Sequence, residues 1–112
     1  MNRPAATRTL FFIGLSTGRS SIMSVFPAWA EYLGLDCRIT GIDLPLHAPA
    51  AAYREVVENI KADPQATGAV VTTHKIDLLN ACRDLFDKFD AYAELLGEVS
   101  AIGKRGGQLI GM

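Results

Sequence analysis

The sequence predicts an α/β fold: a three-layer α/β/α open sheet that is mostly parallel and carries an antiparallel hairpin at its C-terminal end. Short, continuous apolar runs alternate with amphipathic helical stretches, and a glycine-rich turn separates the last two strand-like runs. Continuous apolar runs are typical of strands buried on both faces, and strands that alternate with helices build parallel sheets. The length of 112 residues fits one domain.

The first half of the chain predicts two strand–helix units. Residues 9–13 form an apolar strand that ends at Gly14, and residues 37–42 form the second strand. We expect the first helix to begin near Ser24, because Pro27 fits only in a first helical turn, and to end at Gly34. Its apolar stripe follows the i, i+3, i+4, i+7 spacing of a helix and comprises Phe26, Trp29, Ala30 and Leu33.

The second half continues the alternation. A second helix begins at Pro49 and ends at 63–64, with an apolar stripe along one side. A third buried strand covers 69–72, helical patterns cover 76–82 and 92–96, and strands at 99–102 and 108–110 flank a glycine-rich hairpin turn at 103–107. The stripe of the second helix comprises Tyr53, Val56, Val57 and Ile60.

Composition excludes several classes of partner. The net charge of −1, with both signs interspersed, gives no basic footprint for nucleic acid. Arg3 and Arg8 precede an apolar run at 10–13 that is too short for a signal peptide or a membrane span, so we expect a cytoplasmic protein. Cys37 and Cys82 lack metal-ligand spacing and are interpreted as small buried residues in a reducing compartment; no metal site is predicted. The sequence is compatible with a homodimer and does not fix the oligomeric state.

The loop at 14–21 is the first candidate site. It lies between a strand and a helix, at the sheet edge where α/β proteins bind ligands, and a helix N-terminus there favours anions. Its hydroxyl groups and Arg19 fit a carboxylate or a phosphate, although an ordinary helix cap would explain one or two of the serines. The loop contains neither G-x-G-x-x-G nor a P-loop motif, so no cofactor site is predicted within this chain. The hydroxyl groups belong to Ser16, Thr17, Ser20, Ser21 and Ser24.

Two further segments are weaker candidates. Thr72, Thr73, His74 and Lys75 follow the third buried strand, where a partly desolvated lysine could transfer protons. The alternatives are a solvated lysine that opens a helix and a surface or capping histidine. The segment 97–102 means by itself only a helix end followed by a strand.

Taken in order, these segments resemble the N-terminal substrate-binding domain of the shikimate dehydrogenase family. The family's strand and glycine-bearing loop with a Ser-x-Ser pair are similar to IGLSTGRSSI at 13–22, and its Thr-x-Pro-x-Lys motif is similar to VTTHK at 71–75. Its Gly-Ala-Val-Asn-Thr turn is similar to GEVSA at 97–101, and its Gly-x-Leu-x-Gly hairpin is similar to GQLIG at 107–111. The resemblance spans nearly the whole chain.

The resemblance implies an enzyme activity and a set of roles. The family oxidises a hydroxyl of a cyclohexene carboxylate in the shikimate pathway of aromatic amino acid biosynthesis, with NADP or NAD held by a separate C-terminal Rossmann domain. By resemblance, residues 1–112 are the substrate-binding domain, Lys75 is the catalytic proton-transfer residue, and Ser20 binds the substrate carboxylate. Arg19, Ser21, Thr72 and Ser100 are the further expected substrate-binding residues.

Several positions depart from the family pattern. Ile22 stands at the second serine of the pair, Thr73 at the proline of the lysine motif, and Val71 at its threonine, with Thr72 the nearest hydroxyl. Ser100 stands where the family has an asparagine. The family's catalytic aspartate and Rossmann domain would follow Met112, so the chain is expected to be a part of a longer protein. These departures leave open quinate or another relative as the substrate, and also a non-catalytic module that binds or senses a small acid.

Overall fold

The computed structural model describes residues 8–112. Arg3, which entered the argument about targeting, lies outside these residues. The strands are β1 Arg8–Gly14, β2 Cys37–Asp43, β3 Ala66–Val71, β4 Lys88–Phe89, β5 Ala101–Arg105 and β6 Gln108–Gly111. The helices are α1 Ile22–Leu33, α2 Ala50–Ala62, α3 Lys75–Cys82 and α4 Ala91–Leu96, with short 3₁₀ turns at Thr17–Arg19 and Arg83–Leu85.

The strands form one six-stranded sheet in the order β2-β1-β3-β5-β6-β4. The β1 strand is parallel to both of its neighbours, and β4 is parallel to β6, whereas β3–β5 and β5–β6 are antiparallel. The mostly parallel sheet with a C-terminal antiparallel hairpin confirms the predicted fold class. Each parallel β–α–β unit returns its strand beside β1, so the carboxyl ends of β1, β2 and β3 share one edge.

One face of the sheet carries the main core. Alternate side chains of β1, β3, β5 and β6 pack against α2 and α3 on this face, and full burial of each aliphatic side chain stabilises the fold by about 1.5–3 kcal/mol. The predicted stripe of α2 is confirmed, with Val56 half-buried and the others buried. The fully buried members of this core include Ile13, Tyr53, Val57, Ile60, Val71, Leu78, Leu79, Cys82, Val99 and Leu109.

The α1 helix packs on the opposite face, over β2. Ile42 of β2 contacts the main core, so the residue before it, Gly41, faces the other way. There the Met23 side chain of α1 lies 3.5 Å from the position that a Cβ of Gly41 would take. Of the predicted α1 stripe, Ala30 is buried and Phe26 half-buried, but Trp29 and Leu33 are 63% and 64% exposed. The predicted helix is confirmed, but only part of its apolar stripe is buried, because no described element covers Trp29 and Leu33.

Several predicted boundaries were also wrong. The α1 helix begins at Ile22, so Pro27 lies in its second turn rather than its first. Pro27 is exposed, and the helix opens with a tight turn in which the Met23 N–H bonds to the Ser20 carbonyl at 3.1 Å. The third strand begins three residues earlier than predicted, and the two-residue β4 strand was not predicted at all.

Among residues 8–112, no helix combines the length and apolar character that a membrane crossing requires.

The two cysteines differ in environment. Cys82 is completely buried between α3 and the sheet, and burial raises the pKa of its thiol to about 11. Cys37 is half-buried at the start of β2, so the prediction of two buried cysteines is confirmed only for Cys82.

This difference predicts selective thiol chemistry. Because only the thiolate is nucleophilic, native protein treated with iodoacetamide at pH 8 is expected to be alkylated at Cys37 and to remain unmodified at Cys82, as read by peptide mass spectrometry. Denatured protein is the control and should be modified at both positions. Rapid alkylation of Cys82 in the native protein would contradict the burial described above.

Candidate functional site

The candidate site lies at the sheet edge where β1, β2 and β3 end. In register, Gly14 lies opposite Asp43 and Ile13 lies opposite Val71. Because β5 runs antiparallel to β3, its beginning lies at this same edge, and the Ser100 carbonyl accepts a hydrogen bond of 2.8 Å from the Val71 N–H. Segments that are distant in sequence therefore meet here, as expected for a ligand site in an open α/β sheet.

A cavity of about 230 Å³ opens at this edge. Hydroxyl side chains from the loop after β1 and from the segment after β3 converge on it, and two of the predicted binding residues, Ser20 and Thr72, are among them. The lining contains no charged side chain, so the cavity offers hydrogen-bond donors and acceptors rather than a fixed counter-charge. The full lining comprises Phe12, Gly14, Leu15, Ser16, Thr17, Ser20, Thr72 and Thr73.

Two glycines allow the hydroxyl groups to lie this close to the backbone. A Cβ at Gly14 would lie 2.8 Å from the Thr72 hydroxyl oxygen, which itself bonds to the Ile13 carbonyl at 3.3 Å. A Cβ at Gly41 would collide with the Thr17 side chain. Any larger residue at either position would displace a threonine from its place beside the cavity.

Asp43 fixes the loop onto the end of β2. Its carboxylate accepts a hydrogen bond of 2.9 Å from the Thr17 backbone N–H. Hydrogen bonding from the Thr17 side chain, and then from its backbone N–H, holds the pKa of Asp43 below its ordinary value, against a smaller opposing effect of burial. Asp43 therefore keeps Thr17 buried at the base of the loop.

Lys75 and Ser100 lie near the cavity but not in its lining. Lys75 is the first residue of α3, three residues after Thr72, and is half-buried; its carbonyl accepts a 3.1 Å bond from the Val99 N–H. This bond brings the start of α3 beside the segment that contains Ser100. Lys75 therefore lies at the same edge of the sheet as the serine-rich loop.

Arg19 and Ser21 are placed differently. Both side chains are exposed on the short 3₁₀ turn and at the entrance to α1, and neither belongs to the cavity lining. Ser21 uses its backbone carbonyl to accept bonds from the first turn of α1. Of the predicted binding residues, Ser20 and Thr72 therefore line the cavity, whereas Arg19 and Ser21 do not.

The connection from β3 to α3 has an unusual backbone. Thr73 has a φ of +64°, in the left-handed region, and the His74 N–H bonds back to the Thr72 carbonyl at 2.5 Å. His74 is 1% exposed, and its Nδ1 lies 2.7 Å from the hydroxyl oxygen of Tyr53 on α2. The interpretation of His74 as a surface or capping residue was wrong, because its ring is enclosed in the core and makes no capping bond.

Two other cavities occur in the described part of the chain. One of about 270 Å³ lies between the 44–49 loop and α3, where His47 Nδ1 lies 2.7 Å from Asp77 Oδ2. Another of about 350 Å³ lies at the amino edge of the sheet, beside Lys104 and Arg105. The cavity at the carboxyl edge is the candidate site, because the strands and the hydroxyl side chains converge there. Within residues 8–112, no three His, Cys, Asp or Glu side chains cluster closely enough to hold a metal ion.

Sequence analysis missed Asp43 and the Tyr53–His74 pair. Asp43 could have been predicted from its position, because a carboxylate at the end of a strand parallel to β1 lies beside the loop that follows β1. The pairing of Tyr53 with His74 joins residues 21 positions apart on two different elements. No local spacing rule relates such positions.

The Thr17–Asp43 bond gives a prediction about pH. A carboxyl group whose pKa is lowered in the folded state contributes stability that is present above its unfolded pKa of about 3.9 and is lost as the pH falls through the folded pKa. The amide proton shift of Thr17, followed by NMR, is therefore expected to stay constant on acidification to about pH 4 and to change only below it. Asp43→Asn should abolish this titration, and a midpoint above pH 4 would contradict the assignment.

No known sequence family and no curated protein sequence matches this chain. Solved structures do match it. A shikimate dehydrogenase solved in complex with NADP⁺ is 25% identical, with a TM-score of 0.76 over 94% of this chain and 34% of its own. A shikimate 5-dehydrogenase from Listeria monocytogenes, solved with shikimate and NAD, is 21% identical, with a TM-score of 0.77 over 99% of this chain and 36% of its own.

A ligand-free 5-ketofructose reductase from Gluconobacter is also similar, at 23% identity and a TM-score of 0.76 over 95% of this chain and 35% of its own. The chain thus spans about one third of the length of the solved structures that it matches. The resemblance drawn from the sequence motifs and the likeness of the folds agree. The chain has the fold of a shikimate dehydrogenase domain.

Proposed function

We propose that this chain is the substrate-binding domain of an NAD(P)-dependent oxidoreductase similar to shikimate dehydrogenase, acting on the hydroxyl of shikimate, quinate or a related cyclic polyol carboxylate. One observation carries the proposal. Ser20 and Thr72 line one cavity at the carboxyl edge of the sheet, and Lys75 begins a helix three residues after Thr72. A polyhydroxylated ring requires such a set of neutral hydrogen-bonding groups together with one group that can accept a proton.

In this proposal the hydroxyl groups bind and orient the substrate. Ser20 donates to the substrate carboxylate, and Thr72, whose hydroxyl donates to the Ile13 carbonyl, accepts from a ring hydroxyl. Ser100 contributes from the segment just before β5, and Ser21 and Arg19 contribute at the exposed rim. Asp43 acts indirectly, by holding the loop that carries these hydroxyls. A hydrogen bond to a charged group contributes about 1.5–3 kcal/mol, so the Ser20 contact would supply a large part of the binding of a small acid.

Lys75 is the proton-transfer residue of the proposed reaction. Oxidation of a secondary alcohol removes a hydride from carbon and a proton from oxygen, and the amine of Lys75, when unprotonated, accepts the hydroxyl proton. Among residues 8–112, the Lys75 amine takes part in no hydrogen bond or ion pair, so no described side chain competes with a substrate for it. Proximity to the cavity allows the proton to move without diffusion of a base from solvent.

The described residues do not fit a dinucleotide. The loop after β1 has Gly14 and Gly18 without the third glycine of a nucleotide-binding turn, and its cavity has a volume of only about 230 Å³. We therefore place NADP or NAD in a separate C-terminal Rossmann domain of the same protein. A nicotinamide held by that domain would supply the hydride acceptor for the reaction. The proposed setting is the cytoplasm and the shikimate pathway, where such a protein serves aromatic amino acid biosynthesis.

A second candidate is a module that binds or senses a small acid without catalysis. Ile22 favours it, because a half-buried aliphatic side chain stands where the family has the second carboxylate-binding serine. The Gluconobacter protein with the same fold is named for an uncharged ketose, so the fold by itself does not require a carboxylate. The two candidates differ in turnover rather than in binding.

Ser20→Ala tests the carboxylate contact. Isothermal titration calorimetry of this chain with shikimate and quinate should show binding, and the variant should bind more weakly by about 1–3 kcal/mol, since one hydrogen bond to a charged group is lost. The methyl ester of shikimate lacks the negative charge, so Ser20→Ala should weaken its binding by less than it weakens the binding of shikimate. Ser24→Ala is the matched control, because its exposed hydroxyl bonds only to the Ser21 carbonyl and lies outside the cavity. Equal affinity of wild type and Ser20→Ala would remove Ser20 from the site.

Lys75→Ala tests the enzyme against the binding module. In the protein that joins this domain to its cofactor domain, turnover should fall by about 10²–10⁴-fold with substrate affinity nearly unchanged, since proton transfer acts in the transition state. Lys75→Arg should be equally inactive, because arginine stays protonated. Lys88→Ala, at an exposed lysine of β4, is the control for general effects. Binding without turnover in the wild type would favour the sensing module.

A further inference from the structure

The turn between β3 and α3 stores backbone strain beside the proposed site. The hydrogen bond from residue i+2 to residue i, with a positive φ at the central residue, defines the rare and strained form of the γ-turn. The central residue, Thr73, is β-branched, and such residues enter the left-handed region only when the surrounding structure forces them to. A proline, which the family resemblance places at this position, is restricted to φ near −65° and could not adopt this conformation.

Both ends of the turn are held by the rest of the fold. On one side, the Thr72 N–H and its hydroxyl both bond to the Ile13 carbonyl, at 2.9 and 3.3 Å. On the other side, the His74 ring is enclosed in the core and bonds to the Tyr53 hydroxyl at 2.7 Å. The next residue after His74 is Lys75, so whatever fixes this turn also fixes the start of α3.

Packing alone does not explain why Tyr53 and His74 occupy these buried positions. Both side chains are almost completely buried, and the His74 Nε2 has no hydrogen-bond partner among residues 8–112. A buried polar group without a partner destabilises a fold, so two apolar side chains of similar size would serve the core at least as well. Burial raises the pKa of Tyr53, which keeps its hydroxyl protonated and able to donate to the imidazole. The pair therefore points to a role other than packing.

We propose that Tyr53 and His74 are positioning residues, whose hydrogen bond holds the left-handed turn at Thr73 and thereby fixes Lys75 beside the cavity. The importance of this device for turnover rests on the proposed function, in which Lys75 transfers the proton. The mechanical part, from Tyr53 through the turn to Lys75, is independent of any reaction. Neither residue contacts the substrate cavity described above.

The mechanical part is tested by labelling this chain with a small amine-reactive acetylating reagent, with rates at each lysine read by mass spectrometry. Lys75 is half-buried, and exposed Lys88 serves as the internal reference. Tyr53→Phe removes only the hydroxyl and should raise the labelling rate of Lys75 towards that of Lys88. Tyr92→Phe, at a tyrosine that is 73% exposed, is the matched control and should change nothing.

Two substitutions at the turn separate positioning from general loss of stability. Thr73→Pro cannot adopt a positive φ and should reproduce the effect of Tyr53→Phe with the hydrogen bond left intact. Thr73→Gly adopts the turn without strain and does not need the Tyr53 hydrogen bond to hold it. In a Thr73→Gly protein, adding Tyr53→Phe should therefore change the acetylation rate of Lys75 by less than about half of its effect in the wild type. A core defect that does not act through the turn would give additive effects, and that result would overturn the proposal.

Variants at His74 provide a second route should Tyr53→Phe unfold the chain. Asparagine carries a polar atom near the position of Nδ1 and should preserve the slow labelling of Lys75, whereas leucine should accelerate it. Equal rates in the two variants would also overturn the proposal. In the protein with its cofactor domain, Tyr53→Phe should lower kcat on the order of tenfold to a hundredfold with KM little changed, as expected for a misplaced reactive group.

The labelling and turnover experiments distinguish the positioning role of Tyr53 and His74 from the proposed catalytic role of Lys75. If Tyr53→Phe and Thr73→Gly are coupled in the labelling rates but Lys75→Ala leaves turnover unchanged, the positioning device stands and the proposed role of Lys75 fails. If Lys75→Ala abolishes turnover while the labelling effects are additive, the proposed function stands and the positioning device is wrong.

Discussion

The position of β1 between two parallel strands is the constraint on which the rest of the structure depends. Since β2 and β3 both return beside β1 in the same direction, the three segments that follow these strands must emerge at one edge. The loop after β1 supplies hydroxyls, the end of β2 supplies the carboxylate that holds this loop, and the segment after β3 supplies the turn that leads to Lys75. A slip of one residue in either pairing would turn Asp43 or Thr72 to the wrong face of the sheet.

The antiparallel hairpin adds the fourth segment to this edge. Because β5 runs opposite to β3, its beginning, rather than its end, lies beside Val71. Ser100 reaches the edge through this reversal, and the carbonyl of Lys75 is tied to the same segment through the Val99 N–H. Polar residues of the loop after β1 and of the segment after β3 line the cavity, and the end of β2 and the segment before β5 lie at the same edge of the sheet. Separation of a site from the hydrophobic core lets the site change its substrate through loop residues without loss of the core.

Much of this arrangement could be predicted from the sequence, because it depends on local patterns. Apolar runs identified the strands, the stripe of α2 identified its buried side, and the order of elements placed Ser20 and Thr72 at a common edge. Other features depend on contacts between distant elements and leave no local pattern. The exposure of Trp29 depends on what covers α1, and the pairing of His74 with Tyr53 depends on how α2 packs against the β3–α3 turn. The start of α1 was misplaced because the rule that restricts proline to a first turn does not hold for Pro27, which lies in the second turn.

Trp29 is the single tryptophan of the chain, and it projects from α1 with most of its ring in solvent. Its fluorescence therefore originates at the surface of the molecule and not in the core between α2, α3 and the sheet. Emission is expected to be red-shifted already in the native state and to change little when the core melts. A molecule that covers the Trp29 ring on α1 would remove it from water and shift its emission to the blue. Tryptophan fluorescence therefore reports on binding at this helix.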